Sequence, residues 1–198
     1  GVAYIAFRIE WDADKYTGIP QIQAKVQGKL ISTYNGSSSE TANQYSTNPA
    51  FILLNYLTDT RFGKGIPIAN IDIPSFYTAS TVCATQITPY SGASQINLID
   101  TNVVLDTSNK IIDNVKNLLR GMRGLLTYQQ GKYRLVVETT GSSVLTLNKD
   151  NVLGGIQVQS EKKNSKFNKI QATFINPEKN YQSDTIVYDT NHSTYLSE

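Results

Sequence analysis

Residues 48 to 57 read Asn-Pro-Ala-Phe-Ile-Leu-Leu-Asn-Tyr-Leu. Asn48 is suited to accept backbone N–H bonds as an N-cap, and Pro49 at the first helical position gives up no donor that the helix needs. The helix that follows places Phe51, Ile52, Leu53, Leu54, Tyr56 and Leu57 around nearly all its sides. It has no face to spare for water and is expected to be enclosed by other elements. It is expected to stop near Asp59, with Gly63 and Gly65 freeing the backbone of a mobile exit loop. Enclosing such a helix takes other apolar material. The 198 residues, 39% of them hydrophobic, supply enough for one large domain or two small ones.

The flanks of this helix read differently. Val2 to Glu10 is rich in Tyr, Ile, Phe and Val and is predicted to be a strand; Asp12, Asp14 and Gly18 mark a turn after it. Ile22, Ala24 and Val26 then share one face of a second strand, with Gln21, Gln23, Lys25 and Gln27 on the other, continuing through Leu30-Ile31 toward Tyr34. Asn35 to Thr47 has almost no apolar residue and is expected to be an exposed loop.

Beyond the first helix, Ser75 is the expected N-cap of a second, running to about Ile87 with Phe76, Ala79, Val82, Cys83 and Gln86 at helical spacing. Residues 95–105 lean toward strand. Asp106, Thr107 and Ser108 offer caps for a third helix, whose stripe is Ile111, Ile112, Val115, Leu118, Leu119 and Met122, ended by Gly121 and Gly124. Leu125–Gln129 and Lys132–Glu138 flank Gln130-Gly131, a hairpin turn. Further strands are predicted at Val144–Leu147, Ile156–Gln159, Asn168–Ile175 and Thr185–Asp189. No repeat of fixed period appears. The class is α+β, with antiparallel strands at both ends and about three helices in the middle. The expected division is a β-rich segment at 1–34, the polar loop at 35–47, an α+β domain at 48–150 and a second β-rich segment at 151–198. The start at Gly1 and the end at Glu198 are read as those of a fragment of a longer chain.

Composition removes most chemistry. Lys and Arg number 18 against 16 Asp and Glu, a net charge of +2 that gives no reason to expect a nucleic-acid groove or an anionic membrane. The single cysteine, Cys83, excludes an internal disulfide and multi-cysteine metal sites. It sits on the apolar side of a helix without a base beside it, and reads as a small buried hydrophobe. The single histidine, His192, lies near the C-terminal end between Asn191 and Ser193, a poor setting for a catalytic triad. Glu10, Asp12 and Asp14 form the one tight acidic cluster. An EF-hand would need an oxygen ligand, a glycine and a glutamate where Tyr16, Thr17 and Gln23 stand, so the cluster reads as a solvated turn. Gly63-Lys64-Gly65 follows a helix and lacks the Ser or Thr of a phosphate loop. Asn35-Gly36-Ser37 and Asn191-His192-Ser193 match the glycosylation acceptor, as chance allows in a chain with 17 Asn, 17 Ser and 20 Thr against 34 charged residues. Such neutral polar surfaces occur in secreted, cell-surface and virion proteins. Trp11 and the 12 tyrosines suit packed sheet positions and also contact surfaces. No apolar run approaches the roughly 18 residues of a membrane span. Neither catalytic, cofactor-binding nor metal-ligating residues are assigned.

The stretch from Asn48 through Leu57-Thr58-Asp59 and Arg61-Phe62-Gly63 to Gly65 resembles the Asn-Pro-Ala helix and glycine exit of the phage tail tip and central hub proteins, the tip-attachment (host-specificity) family of lambda-like phages. Other resemblances keep the family's order. They are Ile19-Pro20 through Gly28-Lys29-Leu30, the hairpin Tyr128-Gln-Gln-Gly-Lys-Tyr-Arg134, and Phe167-Asn168-Lys169-Ile170 with Asn176-Pro177-Glu178. Phe62 stands where the family often has Tyr, and Lys64 where Leu is common; the 35–47 loop is longer and more polar. The resemblance implies hub-like domains and a non-enzymatic structural role. Copies of the chain would form a trimer around the tail axis and join other tail proteins, closing the tail tube and supporting host attachment and DNA ejection. It also implies a virion component of a phage or prophage, made in the bacterial host cytoplasm, without cofactor or sequence-specific nucleic-acid partner. The alternative from the residues themselves is a cell-surface domain that binds or hydrolyses carbohydrate through Tyr and Trp platforms and the Glu10, Asp12 and Asp14 carboxylates.

Overall fold

A computed structural model describes residues 4–10, 12, 14–15, 18, 22, 24–36, 38–89, 92, 94–148, 151–152, 154–155, 157–160 and 167–189. Trp11, Ile156, His192 and the Asn191 sequon therefore lie outside the described residues, as do several residues of the 11–23 segment. The chain divides into two compact units, residues 1–141 and 142–198.

The first unit is built on three helices, α1 (Pro49–Thr58), α2 (Ile73–Cys83) and α3 (Ile111–Gly121), with small antiparallel pairs around them. These pairs are β1 (Ile31–Tyr34) with β2 (Glu40–Gln44), β3 (Gln86–Ile87) with β4 (Ile96–Asn97), and β5 (Gly124–Gln129) with β6 (Lys132–Val137). α1 begins as its sequence dictates. Asn48 Oδ1 accepts the Ala50 N–H at 3.1 Å, and Asn48 Nδ2 donates to the Ser80 carbonyl of α2 at 2.9 Å. One side chain thus caps a helix and ties it to its neighbour. Ala50, Leu53 and Leu54 of α1 meet Phe76 and Cys83 of α2 and Met122 at the end of α3, all shut away from water. Buried Asn114 donates from Nδ2 to the Tyr56 hydroxyl at 3.0 Å and to the Asp106 carbonyl at 2.8 Å, so its polarity is satisfied. The β5–β6 turn is of the mirror-image type that suits twisted strands: Gln130 and Gly131 have φ of 51° and 80°.

The second unit contains the ribbon β7 (Lys169–Asn176) and β8 (Gln182–Asp189), antiparallel in continuous register from Lys169 opposite Asp189 to Asn176 opposite Gln182. Ile170, Ala172, Phe174, Ile186 and Tyr188 share one face. All five are exposed.

The α+β class holds, with strands toward both ends and helices between them. Several local expectations do not. Residues 4–10 and 24–30 alternate as strands do, yet belong to no ladder among the described residues and stay exposed. Alternation prepares a strand, but only a partner completes it. The expected 35–47 loop is exposed but contains β2, a polar strand held by β1. α2 starts at Ile73, two residues ahead of Ser75, and ends at Cys83, because the chain turns there into β3. Ser75 Oγ is occupied elsewhere: it donates to the Asp72 carbonyl at 2.7 Å and accepts the Leu135 N–H of β6 at 3.1 Å. α3 has no side-chain cap; Asp106 instead closes a tight turn by accepting the Ser108 N–H at 2.8 Å. Its stripe is buried at Val115, Leu118 and Met122 and exposed at Ile111 and Ile112. Between residues 95 and 105 only Ile96 and Asn97 form a strand, and 144–147 and 157–159 form none.

Candidate assembly surface

A cleft of about 630 Å³ opens on the first unit. Its walls come from four separated stretches: Val26–Ile31 leading into β1, Tyr45 and Ser46 just after β2, the Ile52–Tyr56–Asp59 side of α1 with Phe62 beyond it, and Thr101–Leu105. The lining is chiefly apolar, through Val26, Ile31, Ile52, Phe62, Val103, Val104 and Leu105. Among the described residues of its lining, only Lys29 and Asp59 carry charge. Val26, Phe62 and Val104 are 67%, 53% and 93% exposed. Apolar groups gathered in this way on a surface mark a place for a partner rather than scattered solvent contact.

The same residues that shape the cleft hold α1's exit. Asp59 caps the helix end, accepting the Arg61 and Phe62 N–H groups at 2.8 and 2.9 Å and the Lys29 ammonium through its other oxygen. The Lys29 bond, followed by those two amides, holds the Asp59 carboxyl down to about 2. Lys29 is thereby fastened to α1, and the 26–31 wall with it. After Phe62, the exit loop folds back on the helix: Lys64 N–H donates to the Tyr56 carbonyl at 3.0 Å and Ile66 N–H to that of Leu57 at 2.8 Å. These bonds satisfy carbonyls that a helix end leaves open. A Cβ on Gly63 would lie 1.9 Å from the Tyr56 carbonyl oxygen, so only glycine fits there. The expected mobile exit loop is instead a packed closure.

The sequence-derived candidates fall elsewhere. Asp12 pairs with Lys15 at 2.7 Å and accepts the Asp14 N–H at 3.1 Å; the Lys15 bond, then the Asp14 amide, lowers its carboxyl. Glu10 stands 4.0 Å from Arg8 in full solvent. These carboxylates line a surface turn rather than the cleft. Among the described residues, no group of three or more His, Cys, Asp or Glu is placed to hold a metal ion. Cys83 is fully buried, and desolvation pushes its thiol up to about 11. The tyrosines divide: Tyr56 is core, Tyr34, Tyr77 and Tyr133 pack against it, and Tyr4, Tyr45, Tyr128, Tyr181 and Tyr188 are exposed. Among the described residues, no helix is long and apolar enough to cross a membrane. Sequence reasoning gave Val103, Val104 and Phe62 no place in a site. Their signal was present, as bulky apolar side chains inside otherwise polar loops.

No family model matches the chain. It is similar to baseplate hub protein pb3 of Escherichia phage T5, 26% identical over 187 residues, which covers 87% of this chain and 20% of that protein. It is also similar to tip attachment protein J of Escherichia phage SECphi27, 23% identical over 198 residues, covering 92% of this chain and 16% of that protein. Both relatives are phage tail tip proteins, as the ordered motifs led one to expect. The chain spans a fifth or less of the length of these two relatives.

Proposed function

We propose that this chain is a structural hub module of a phage tail tip, a virion component assembled in the bacterial host. Copies surround the tail axis as a trimer, join other tail proteins, close the tube, support host attachment and open for DNA passage. The observation that carries this reading is likeness along most of the chain to two tail tip proteins. The physical features support it. The Asn48 cap and the closure at Gly63 are architectural, and the apolar cleft suits protein contact. A ring built from identical modules uses two different flanks of each copy, closed by rotation. The test is localisation: gold-labelled antibody against this chain, applied to particles from cells that produce it, marks the distal end of the tail. Label confined to capsids, or to material without tails, overturns the reading.

A further inference from the structure

The self-docking part of this reading leaves open which surface receives the neighbour, and the cleft answers it. Its rim, residues 26–30, belongs to no ladder among the described residues, and Val26 and Gly28 face the cleft. The two charges in the lining, Lys29 and Asp59, neutralise each other. The cleft therefore suits an uncharged apolar face with a backbone edge beside it. One described segment of the same unit offers that face. Ile5, Phe7 and Ile9 stand at alternate positions and are 59%, 57% and 45% exposed, while Ala6 and Arg8 take the opposite side; this segment too lacks a ladder. The two stretches match in length, five residues each, about 17 Å of strand at roughly 3.3 Å per residue. The turn at Asp12–Lys15 would let the chain pair with itself, yet among the described residues no such pairing forms.

We propose that residues 5–9 of one copy add as a strand along residues 26–30 of a second copy, with Ile5, Phe7 and Ile9 seated in its cleft. Main-chain bonds along the edge supply affinity and the alternate side chains supply register, as in strand addition generally. Donor and acceptor lie on different parts of the chain, so the contact is heterologous and repeats from copy to copy.

The experiment mixes two full-length single variants, Phe7→Cys and Gly28→Cys, under mild oxidation. Both positions are exposed, an added Cβ on Gly28 meets nothing within 4 Å, and residues 7 and 28 lie opposite each other in either strand direction. Buried Cys83 contributes little thiolate. Native mass measurement follows assembly, with Phe7→Asp and Arg8→Asp as companions. Expected are a disulfide joining the two different variants, at least tenfold weaker self-association for Phe7→Asp, and less than twofold change for Arg8→Asp. Assembly to a multiple of 21.9 kDa without the mixed disulfide overturns strand addition and leaves the hub reading standing. Closure of the F7C/G28C double variant within one chain also overturns it. A chain that stays at monomer mass at millimolar concentration with no disulfide of either kind overturns the self-docking premise as well.

Discussion

In the first unit Leu53, Leu54, Phe76 and Met122 are enclosed by three helices and two hairpins; in the second, Ile170, Phe174, Ile186 and Tyr188 stand 43% to 66% exposed on one face of a two-stranded ribbon. Both regions are regular, and the ribbon has the longer continuous ladder. Ladders alone do not make a folding unit in water, because their hydrogen bonds replace bonds to solvent at little net gain. The helical region adds a layer that removes apolar surface from water, which is the larger contribution. The first unit therefore carries its own stability, and the ribbon is an element prepared for cover.

The sharpest way to break this contrast is to truncate one side chain on each side of it. Leu118→Ala removes a buried residue of α3 and is expected to cost about 2–5 kcal/mol, read by urea unfolding of the full chain. Ile186→Ala, on the ribbon face, is expected to change stability by less than about 0.5 kcal/mol. Equal costs would mean that the ribbon is covered in solution, and the contrast would collapse. A near-zero cost for Leu118→Ala would withdraw α3 from the core.

The next effect tests backbone rather than side-chain packing. Gly63→Ala sets a methyl group 1.9 Å from the Tyr56 carbonyl oxygen, and the exit loop must move to admit it. The expected cost is about 1–3 kcal/mol, the usual range for overpacking. Gly155, where an added Cβ meets nothing within 4 Å, is the control in the second unit, and its alanine variant is expected to be neutral. A neutral Gly63→Ala would restore the mobile loop that the sequence suggests.

These two sites also show what was legible in the sequence and what was not. The α1 cap and the Gln130–Gly131 turn were readable because the residues that decide them are neighbours along the chain. α2 begins three residues earlier than expected, with Asp72 rather than Ser75 at the cap position, and the Ser75 hydroxyl, a natural cap, is used by Leu135, sixty residues away. β2 was hidden because Glu40–Gln44 is exposed throughout and so carries no alternation of apolar and polar residues. The cleft was invisible for a related reason. Stretches near residues 28, 55 and 103 become walls of one space only after folding, and nothing local announces their meeting. The family resemblance succeeded where local reading failed, since it depends on the order of motifs rather than on their partners.

A smaller effect compares two carboxylates, one in each unit. Asp59 and Asp184 are both lowered from 3.8 to about 2, the first chiefly by Lys29, the second by Asn176 and then Lys179. A carboxyl lowered on folding stabilises above its unfolded value, and that stability drains away as pH falls toward the folded one. Asp59 joins the 26–31 wall to α1, so Asp59→Asn is expected to cost about 1 kcal/mol near neutral pH and to lose that cost as pH falls through about 2. Asp184 closes a solvent-washed turn. Its protonation is expected to shift the resonances of residues 176–185 without moving the urea midpoint of the first unit. A midpoint that followed Asp184 would show the ribbon to be part of the cooperative core.

The smallest expected effect bears on the alternative chemistry. Replacing Glu10, Asp12 and Asp14 together by Asn removes the acidic cluster that a carbohydrate-hydrolysing domain would use. Hydrolysis needs two carboxyl groups facing each other across about 5 to 9.5 Å with a sugar between them. Here Asp12 is turned to Lys15 and the Asp14 amide, and Glu10 lies toward Arg8, so each has a local electrostatic task instead. Exposed pairs of this kind contribute little to stability, because water screens them. The triple variant is therefore expected to fold with nearly unchanged stability and to complement infection as the natural chain does, scored by plaque count. Loss of a cell-wall-degrading activity in the triple variant, with its unfolding midpoint intact, would move function from the apolar cleft to the acidic turn and reverse the contrast between a surface that binds and a surface that merely turns.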